Sequence, residues 1–225
     1  MFVSIIIPVL NEEQSINALL QQLQSYRLQG HEIIVVDGGS QDETIKVAKS
    51  LCDQLISSEA GRARQMNKGA ELSKNEILWF LHADTIIPDE SVESIQQALS
   101  ENDWGRFDIH LSGTHFLFRI IEKMINIRSC VFSIATGDQG IFLKRSIFKT
   151  VNGYSNIPLM EDVELSKKLK KISRAVCLNN KLTTSSRRWE KNGILITVFL
   201  MWKLRFLYWL GMSAKRLSLQ YKYNE

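Results

Sequence analysis

The feature that most constrains this chain is an uninterrupted apolar run that ends abruptly in polar residues. Residues 77–81 read Ile-Leu-Trp-Phe-Leu, and His82, Ala83 and Asp84 follow directly. An apolar run without alternation is typical of a strand buried on both faces, as in a parallel sheet covered by helices. Such sheets bind ligands just beyond the carboxyl ends of their strands. We therefore expect Asp84 to lie at a ligand site, although a simple turn would have the same local sequence.

Two earlier apolar runs follow the same plan. Residues 3–10 contain Pro8 near their end, with Glu12 just beyond, and residues 32–37 end on Asp37 before two glycines. Helical patterns separate the three runs, so strand and helix alternate over the first 90 residues. This alternation predicts a mostly parallel α/β sheet flanked by helices, with right-handed crossovers.

Length and cysteine content narrow the class of protein. A chain of 225 residues fits one domain, or one domain with a modest extension. Cys52, Cys130 and Cys177 are an odd, scattered set, which favours a reducing compartment and provides no metal framework. Residue 1 leads straight into the first strand pattern, so we expect no signal peptide.

The charge is concentrated at one end of the chain. Residues 187–225 hold eight Lys and Arg side chains against two Glu, whereas the rest holds 20 basic and 22 acidic side chains. A slightly acidic body argues against nucleic-acid binding, and a basic tail favours an anionic surface. We expect a catalytic domain at 1–186 and a basic, apolar helical tail at 187–225.

Within that tail, residues 194–210 are apolar except for Thr197, Lys203, Arg205 and Tyr208. Two cations near the middle oppose insertion across a bilayer. At about 100° per residue the two cations lie about 200° apart, so the helix has no clean polar face. Three placements remain open: on an anionic membrane, between subunits of a homo-oligomer, or buried on its own domain.

Acidic and basic side chains are expected to meet at the carboxyl edge of the sheet. Asp37 and Asp84 end two strands, and Arg62 and Arg64 can approach from the intervening helix. Carboxylates bind a divalent cation and arginines bind phosphate, so the combination suits a nucleotide diphosphate.

Residues 4–13, 35–44 and 80–85 resemble, in order and spacing, family 2 glycosyltransferases with the Rossmann-like GT-A fold, and Glu161-Asp162 matches the later acidic pair of that family. The resemblance implies an inverting transfer of sugar from a nucleotide-diphosphate sugar to a hydroxyl acceptor. It implies nucleotide contacts from Pro8, Glu12, Asp37 and an arginine of the Arg62/Arg64 pair, Mn²⁺ or Mg²⁺ on Asp84, and Asp162 as base. Repulsion from Glu161 would raise the proton affinity of Asp162.

The chain departs from the family at His82, where an acid is usual. Imidazole can bind manganese but is a poorer magnesium ligand than carboxylate. His82 is therefore either a metal ligand or a hydrogen-bonded histidine at a strand end.

Two later stretches, residues 137–142 and 185–190, resemble the small bacterial branch associated with arsenosugar biosynthesis. In the second stretch, the run Arg187-Arg188-Trp189 is similar to an arginine-tryptophan motif of membrane-linked family members. We expect an acceptor site at Asp138, Gln139, Arg188 and Trp189, in a cytoplasmic enzyme that can lie on the inner face of the membrane.

Two rival functions stay open. A non-catalytic scaffold that binds a nucleotide sugar or a membrane would explain an altered metal site at His82. A nucleotidyltransferase can share the sheet but needs a glycine-rich phosphate loop after the first strand, and residues 9–13 contain no glycine.

Overall fold

A computed structural model describes residues 1–222 of the chain. Its core is a seven-stranded sheet with the spatial order β3-β2-β1-β4-β6-β5-β7. The strands are β1 Val3–Val9, β2 Glu32–Asp37, β3 Gln54–Ser57, β4 Ile77–Phe80, β5 Trp104–Leu111, β6 Phe142–Lys144 and β7 Val176–Thr184. Neighbours pair in parallel except across β6, which runs antiparallel to both β4 and β5. The mostly parallel sheet expected from the sequence is confirmed.

Helices cover both faces of this sheet. They are α1 Ile16–Leu28, α2 Thr44–Ala48, α3 Arg62–Leu72, α4 Ser91–Glu101, α5 Phe116–Phe132, α6 Arg145–Thr150, α7 Glu161–Lys170, α8 Arg187–Asn192, α9 Ile194–Trp209 and α10 Ala214–Lys222. A short 3₁₀ turn, Gly137–Gln139, precedes β6.

The apolar strand runs are buried because each face of the sheet has its own core. Ile5 and Ile7 pack in a cluster that includes Leu19 of α1. Ile6, between them in sequence, faces the other way and packs in a cluster that includes Met66 of α3. Alternate residues of one strand thus enter two cores, as a strand without polar alternation requires.

Strand β7 and a disulfide bond that joins it to α5 were not expected from the sequence. The strand β7 has weak apolar patterning and was not predicted; it forms because Gly105 through Leu111 of β5 offer a pairing edge. The cysteine pattern was expected to favour a reducing compartment, but Cys130 near the end of α5 is disulfide-bonded to Cys177 of β7, and Cys52 is a free, buried thiol.

The tail packs against the body through α7. Leu204 of α9 and Leu217 of α10 form a buried cluster with Met160 and Val163. The Tyr208 hydroxyl donates to Glu164 Oε1 over 2.7 Å. One face of the tail helix is therefore covered by its own chain. Residues 223–225 of the expected tail lie outside the described part.

None of the helices within residues 1–222 combines the length and the apolar character needed to cross a membrane.

Candidate active site

The carboxyl ends of β1, β2 and β4 meet at one edge of the sheet. Val9 pairs with Asp37, and Ile6 pairs with Phe80. The loops after these strands therefore leave the sheet side by side, which is where open α/β sheets bind ligands. Pro8 lies one residue before the end of β1 and is partly buried.

Asp37 is held rigidly at this edge. Its carboxylate accepts hydrogen bonds from the backbone N–H of Gly39 at 2.9 Å and of Ser40 at 3.1 Å. Gly39 has φ +100°, a conformation that glycine adopts without strain and that lets the chain turn back over the carboxylate. Asp37 is 3% exposed, so in this structure its carboxylate orders the turn after β2.

Opposite charges gather around Glu12 and Asp84. Burial raises the pKa of Glu12, and the Asp84 carboxylate raises it further, whereas contact with Ser15 and the charges of Arg187 and Arg62 lower it. A cleft of about 330 Å³ opens beside Asp84, with Ser15 and Arg187 in its wall. The cleft thus places one carboxylate, Asp84, and one guanidinium, Arg187, in the same wall, a pair that suits a diphosphate bound with a cation.

The structure separates the two candidate arginines. Arg62 begins α3, and its charge acts on Glu12, His82 and Glu161. Arg64 instead pairs with Glu59 at 2.5 Å and donates to Asn156 in a different surface cleft. Of the pair, the structure brings Arg62 to the acidic group and directs Arg64 away from it.

Gln65 fixes the start of α3 at this edge. Its Nε2 donates to the carbonyl oxygens of Val9 and Val36, each at 2.8 Å. This buried bridge ties α3 to the ends of β1 and β2, so Arg62 is placed by a side chain three residues further along the helix. Sequence patterning does not reveal such a bridge.

Gly137, in the 3₁₀ turn before β6, lies between the loop after β4 and the beginning of α7. Its N–H donates to Asp162 Oδ2 over 2.8 Å. On its other side it abuts His82 so closely that a Cβ on Gly137 would lie 2.7 Å from His82 Nε2 and 3.9 Å from Asp162 Oδ2. Residues 82 and 162 are 80 positions apart in sequence and meet across one glycine, so Asp162 lies on the same side of the molecule as Asp84.

The ring of His82 is neutral in this environment. Burial, with the nearby Arg62 charge, lowers the pKa of His82 to about 3. A neutral imidazole is the form that binds a metal, so this protonation state is compatible with both expectations for His82, a metal ligand and a structural histidine at the strand end.

Asp84 is the carboxylate candidate for a cation. No set of three His, Cys, Asp or Glu side chains within residues 1–222 forms a cage for a metal ion. Mg²⁺ in nucleotide sites is often held by one or two carboxylates together with substrate phosphates, so a protein cage is not required. A single partly exposed carboxylate beside cationic side chains fits a cation that arrives with a diphosphate.

A strained turn presents Glu161 and Asp162. Met160 has φ +67°, which is uncommon for a residue with a side chain. It is stabilised by packing against Leu204 and Leu217 of the tail. Burial and repulsion from Asp162 raise the pKa of Glu161 to about 7.

The expected acceptor residues fall into different environments. Asp138 lies near Asp162, and burial raises its pKa. Gln139 was expected to contact acceptor, but its side chain is buried and donates to Ser129 Oγ at 2.9 Å, so it serves the core instead. The guanidinium of Arg188 lies 3.7 Å from the centre of the Tyr221 ring. Trp189, in the same short helix α8, is partly buried.

Sequence reasoning missed two residues of this region. Arg187, rather than its neighbour Arg188, lines the cleft with Asp84 and donates to Ser15 Oγ at 3.4 Å. Tyr154 is buried beside the acidic pair, and burial together with Asp162 and Glu161 raises its pKa. The Arg-Arg pair was a visible signal for the first; no sequence signal marks the second.

Comparisons with known proteins identify the family and the fold type of this chain. The family model "Glycosyl transferase family 2" matches residues 4–147. A "PGL/p-HBAD biosynthesis glycosyltransferase" of Mycobacterium bovis is 27% identical over 163 residues, which cover 68% of this chain and 62% of that protein. The chain therefore spans somewhat less than two thirds of this relative's length.

Two solved structures are similar in fold. S. aureus TarS in complex with UDP has a TM-score of 0.66 at 17% identity, over 82% of this chain and 60% of that one. The mannosyltransferase PcManGT from Pyrobaculum calidifontis, in complex with GDP-Man and Mn²⁺, has a TM-score of 0.65 at 18% identity, over 80% of this chain and 56% of that one. The sheet is thus of the GT-A type, and with the match of residues 4–147 the chain belongs to glycosyl transferase family 2.

Proposed function

We propose that this chain is an inverting glycosyltransferase that moves a sugar from a nucleotide-diphosphate sugar to a hydroxyl acceptor. The observation that carries the proposal is the contact of His82 and Asp162 with the two sides of Gly137. It supports a single site with two ends. The donor end, at Asp84, would bind the nucleotide sugar, and Asp162 would act on the acceptor hydroxyl.

The proposed reaction is one displacement at the anomeric carbon. The acceptor oxygen forms a bond to that carbon while the bond to the diphosphate oxygen breaks, and the acceptor proton passes to Asp162. One displacement inverts the anomeric configuration. A carboxylate within hydrogen-bond reach makes a weak hydroxyl nucleophile more reactive, typically by a factor of about 10²–10⁴.

The donor end supports charge on the leaving group. Arg62 and Arg187 carry positive charge close to Glu12 and Asp84. Guanidinium groups bind phosphate oxygens with charge-assisted hydrogen bonds, which strengthen as the diphosphate gains charge. When bound on Asp84, Mn²⁺ or Mg²⁺ would supply further neutralisation of the diphosphate.

A thermal-shift screen tests donor binding. Purified protein is mixed with UDP-, GDP- and dTDP-sugars, with and without Mn²⁺. A specific donor at a hundredfold excess over Kd should stabilise the fold by about 2.7 kcal/mol. Asp84→Asn should lose the Mn²⁺-dependent part of the shift, and an unchanged shift in that variant would remove Asp84 from the metal role.

A transfer assay tests the base. Asp162→Asn is nearly isosteric, so we expect it to bind donor normally and to lose most transfer to the acceptor. Normal transfer by this variant would contradict the assignment.

One observation favours a second candidate, a non-catalytic scaffold that binds a nucleotide sugar. Within residues 1–222 no set of three His, Cys, Asp or Glu side chains could hold a metal ion, so Asp84 has no protein cage around it. Donor binding without hydrolysis or transfer, for every sugar in the panel with Mn²⁺, would establish the scaffold.

The acceptor and the cellular setting belong to the same proposal. The resemblance of residues 137–142 and 185–190 supports the arsenosugar branch, and the basic residues 187–222 support a peripheral position on the inner face of the membrane. The Cys130–Cys177 disulfide removes the cysteine argument for a reducing compartment. Counting the free thiols of protein taken from a cell extract tests whether Cys130 and Cys177 are paired in the cell.

A further inference from the structure

The tail helix α9 has two apolar faces. Thr197 and Leu204 are buried on the side toward the body. The opposite side carries large apolar side chains that remain exposed, namely Leu195, Ile196, Phe199, Trp202, Phe206, Trp209 and Leu210. At about 100° per residue these seven positions fall within an arc of about 140°.

The two cations of α9 border this exposed arc. Lys203 lies at one edge of the arc and Arg205 just beyond the other, because positions two residues apart are about 200° apart on a helix. Because Lys203 and Arg205 lie on different sides of the helix, they do not form one polar face. Instead, one cation lies on each side of the apolar stripe. Long cationic side chains at such borders can keep their charge in water while their stems cover apolar surface.

A second exposed stripe runs along α5. Its inner face is buried through Phe118, Glu122 and Ser129. On the outer face Phe116, Ile120, Met124, Ile127 and Val131 are exposed. These positions fall within about 80° of one another on a helical wheel. Across both stripes the exposed fraction of each side chain is between 48% and 75%, far above what a covered helix face shows.

The two helices are neighbours. Ser112, before α5, lies 3.1 Å from Ser186, before α8, through their hydroxyl oxygens. After α5, Ile134 packs on the tail cluster of Leu204 and Leu217. These contacts place both ends of α5 beside the tail.

This region is strongly basic. Residues 116–132 and 187–222 hold eleven Lys and Arg side chains and two Glu. One of the two, Glu122, is buried and paired with Arg119 at 2.9 Å. A second copy of the chain would bring like charges together, which opposes self-association. An anionic lipid interface complements both the apolar stripes and the charge, and tryptophans such as Trp202 and Trp209 suit its headgroup level.

We propose that α5 and α9 together form a membrane-docking surface that binds the interface of an anionic lipid bilayer. The inference rests on the membrane partner proposed above and adds α5 as a second, required element. Each helix lies in the plane of the interface with its apolar stripe inserted and its cations at the headgroups.

Vesicle flotation tests the surface without donor or acceptor. Wild-type protein should float with phosphatidylglycerol-containing vesicles at low salt and not with pure phosphatidylcholine vesicles. Ile120→Gln/Ile127→Gln on α5 and Phe199→Gln/Phe206→Gln on α9 should each weaken partitioning by about tenfold or more. The control Leu28→Gln/Leu72→Gln changes exposed leucines at the ends of α1 and α3 and should partition as wild type.

The outcomes separate this inference from the function proposed above. Loss in the α9 variant with normal partitioning of the α5 variant would overturn the two-helix surface and leave tail binding standing. Equal flotation with neutral vesicles, no flotation at low salt, or a wild-type dimer that the α5 variant converts to monomer would also overturn it. Donor-induced thermal shifts, measured on the same variants, report the active site independently of these results.

Discussion

The buried carboxyl of Glu161 should make stability depend on pH in a direction opposite to that of most carboxylates. Glu161 begins α7 with its side chain buried, and its pKa rises from 4.5 to about 7 through burial and repulsion from Asp162. Arg62 opposes the shift. The folded protein therefore holds this proton over a range in which the unfolded chain has lost it.

The size and sign follow from proton linkage. Because the folded state binds the proton more tightly, the contribution is fully present below pH 4.5 and is lost as pH rises through about 7. A tenfold change in proton affinity corresponds to about 1.4 kcal/mol, so the rise of the Glu161 pKa amounts to about 3 kcal/mol in total. Glu161→Gln removes the ionisable group, so its free energy of unfolding should gain about 2–3 kcal/mol relative to wild type between about pH 5 and pH 8.5.

Urea unfolding of both proteins at the two pH values measures this difference. Glu164→Gln on the same helix is the matched control with the opposite sign. Burial raises the Glu164 pKa, but hydrogen bonds from Lys167 and Tyr208 outweigh it and lower the pKa overall. Its replacement should cost stability at neutral pH. A Glu161→Gln effect that is the same at both pH values, or destabilising at the higher one, would refute the reasoning.

Three further predictions concern the donor arginine, the tail and the disulfide. Arg62→Gln should weaken nucleotide-sugar binding by about 10–100-fold, while Arg64→Gln changes it by less than about threefold, measured by calorimetry; similar losses would contradict their separation. Leu204→Ala should lower the free energy of unfolding by about 2–5 kcal/mol, because it opens a cavity beneath Met160; a neutral result would mean that the tail does not hold α7. Cys130→Ser should cost about 2–4 kcal/mol, since the bond closes a separation of 47 residues. A reducing agent should lower the thermal midpoint of wild type and leave that of the variant unchanged, and insensitivity of both would refute this.

The sequence predicted the central strands of the sheet because a strand that is buried on both faces has an unbroken run of apolar residues. Strands β1, β2 and β4 are unbroken apolar runs, and the positions after them are where open sheets bind ligands. Asp37 and Asp84 could therefore be assigned to one edge from local pattern alone. By contrast β7, with a polar stretch at 179–181, depends on an available edge of β5 and carries no comparable signal.

The sequence pattern did not predict the direction in which individual polar side chains point. Arg62 and Arg64 are two residues apart, yet the Arg62 charge acts on Glu12 whereas Arg64 lines a separate surface cleft. Arg187 rather than Arg188 lines the cleft beside Asp84. Gln139, beside Asp138 in the same turn, enters the core. In the two arginine pairs the side chains diverge because successive positions of a helix are rotated by about 100°, and the face of the helix that meets the site is set by contacts made far away in sequence.

What the sequence determined by itself is the α/β architecture, the acidic edge of its sheet and the basic character of its end, since each is written in hydrophobic period or charge. Only the tertiary structure decided that Asp162 meets the loop after β4, that the Cys130 and Cys177 thiols pair, and that α5 and α9 leave apolar faces uncovered. These depend on contacts between distant segments, and such contacts are selected by the packing of the whole chain rather than by any local run of residues.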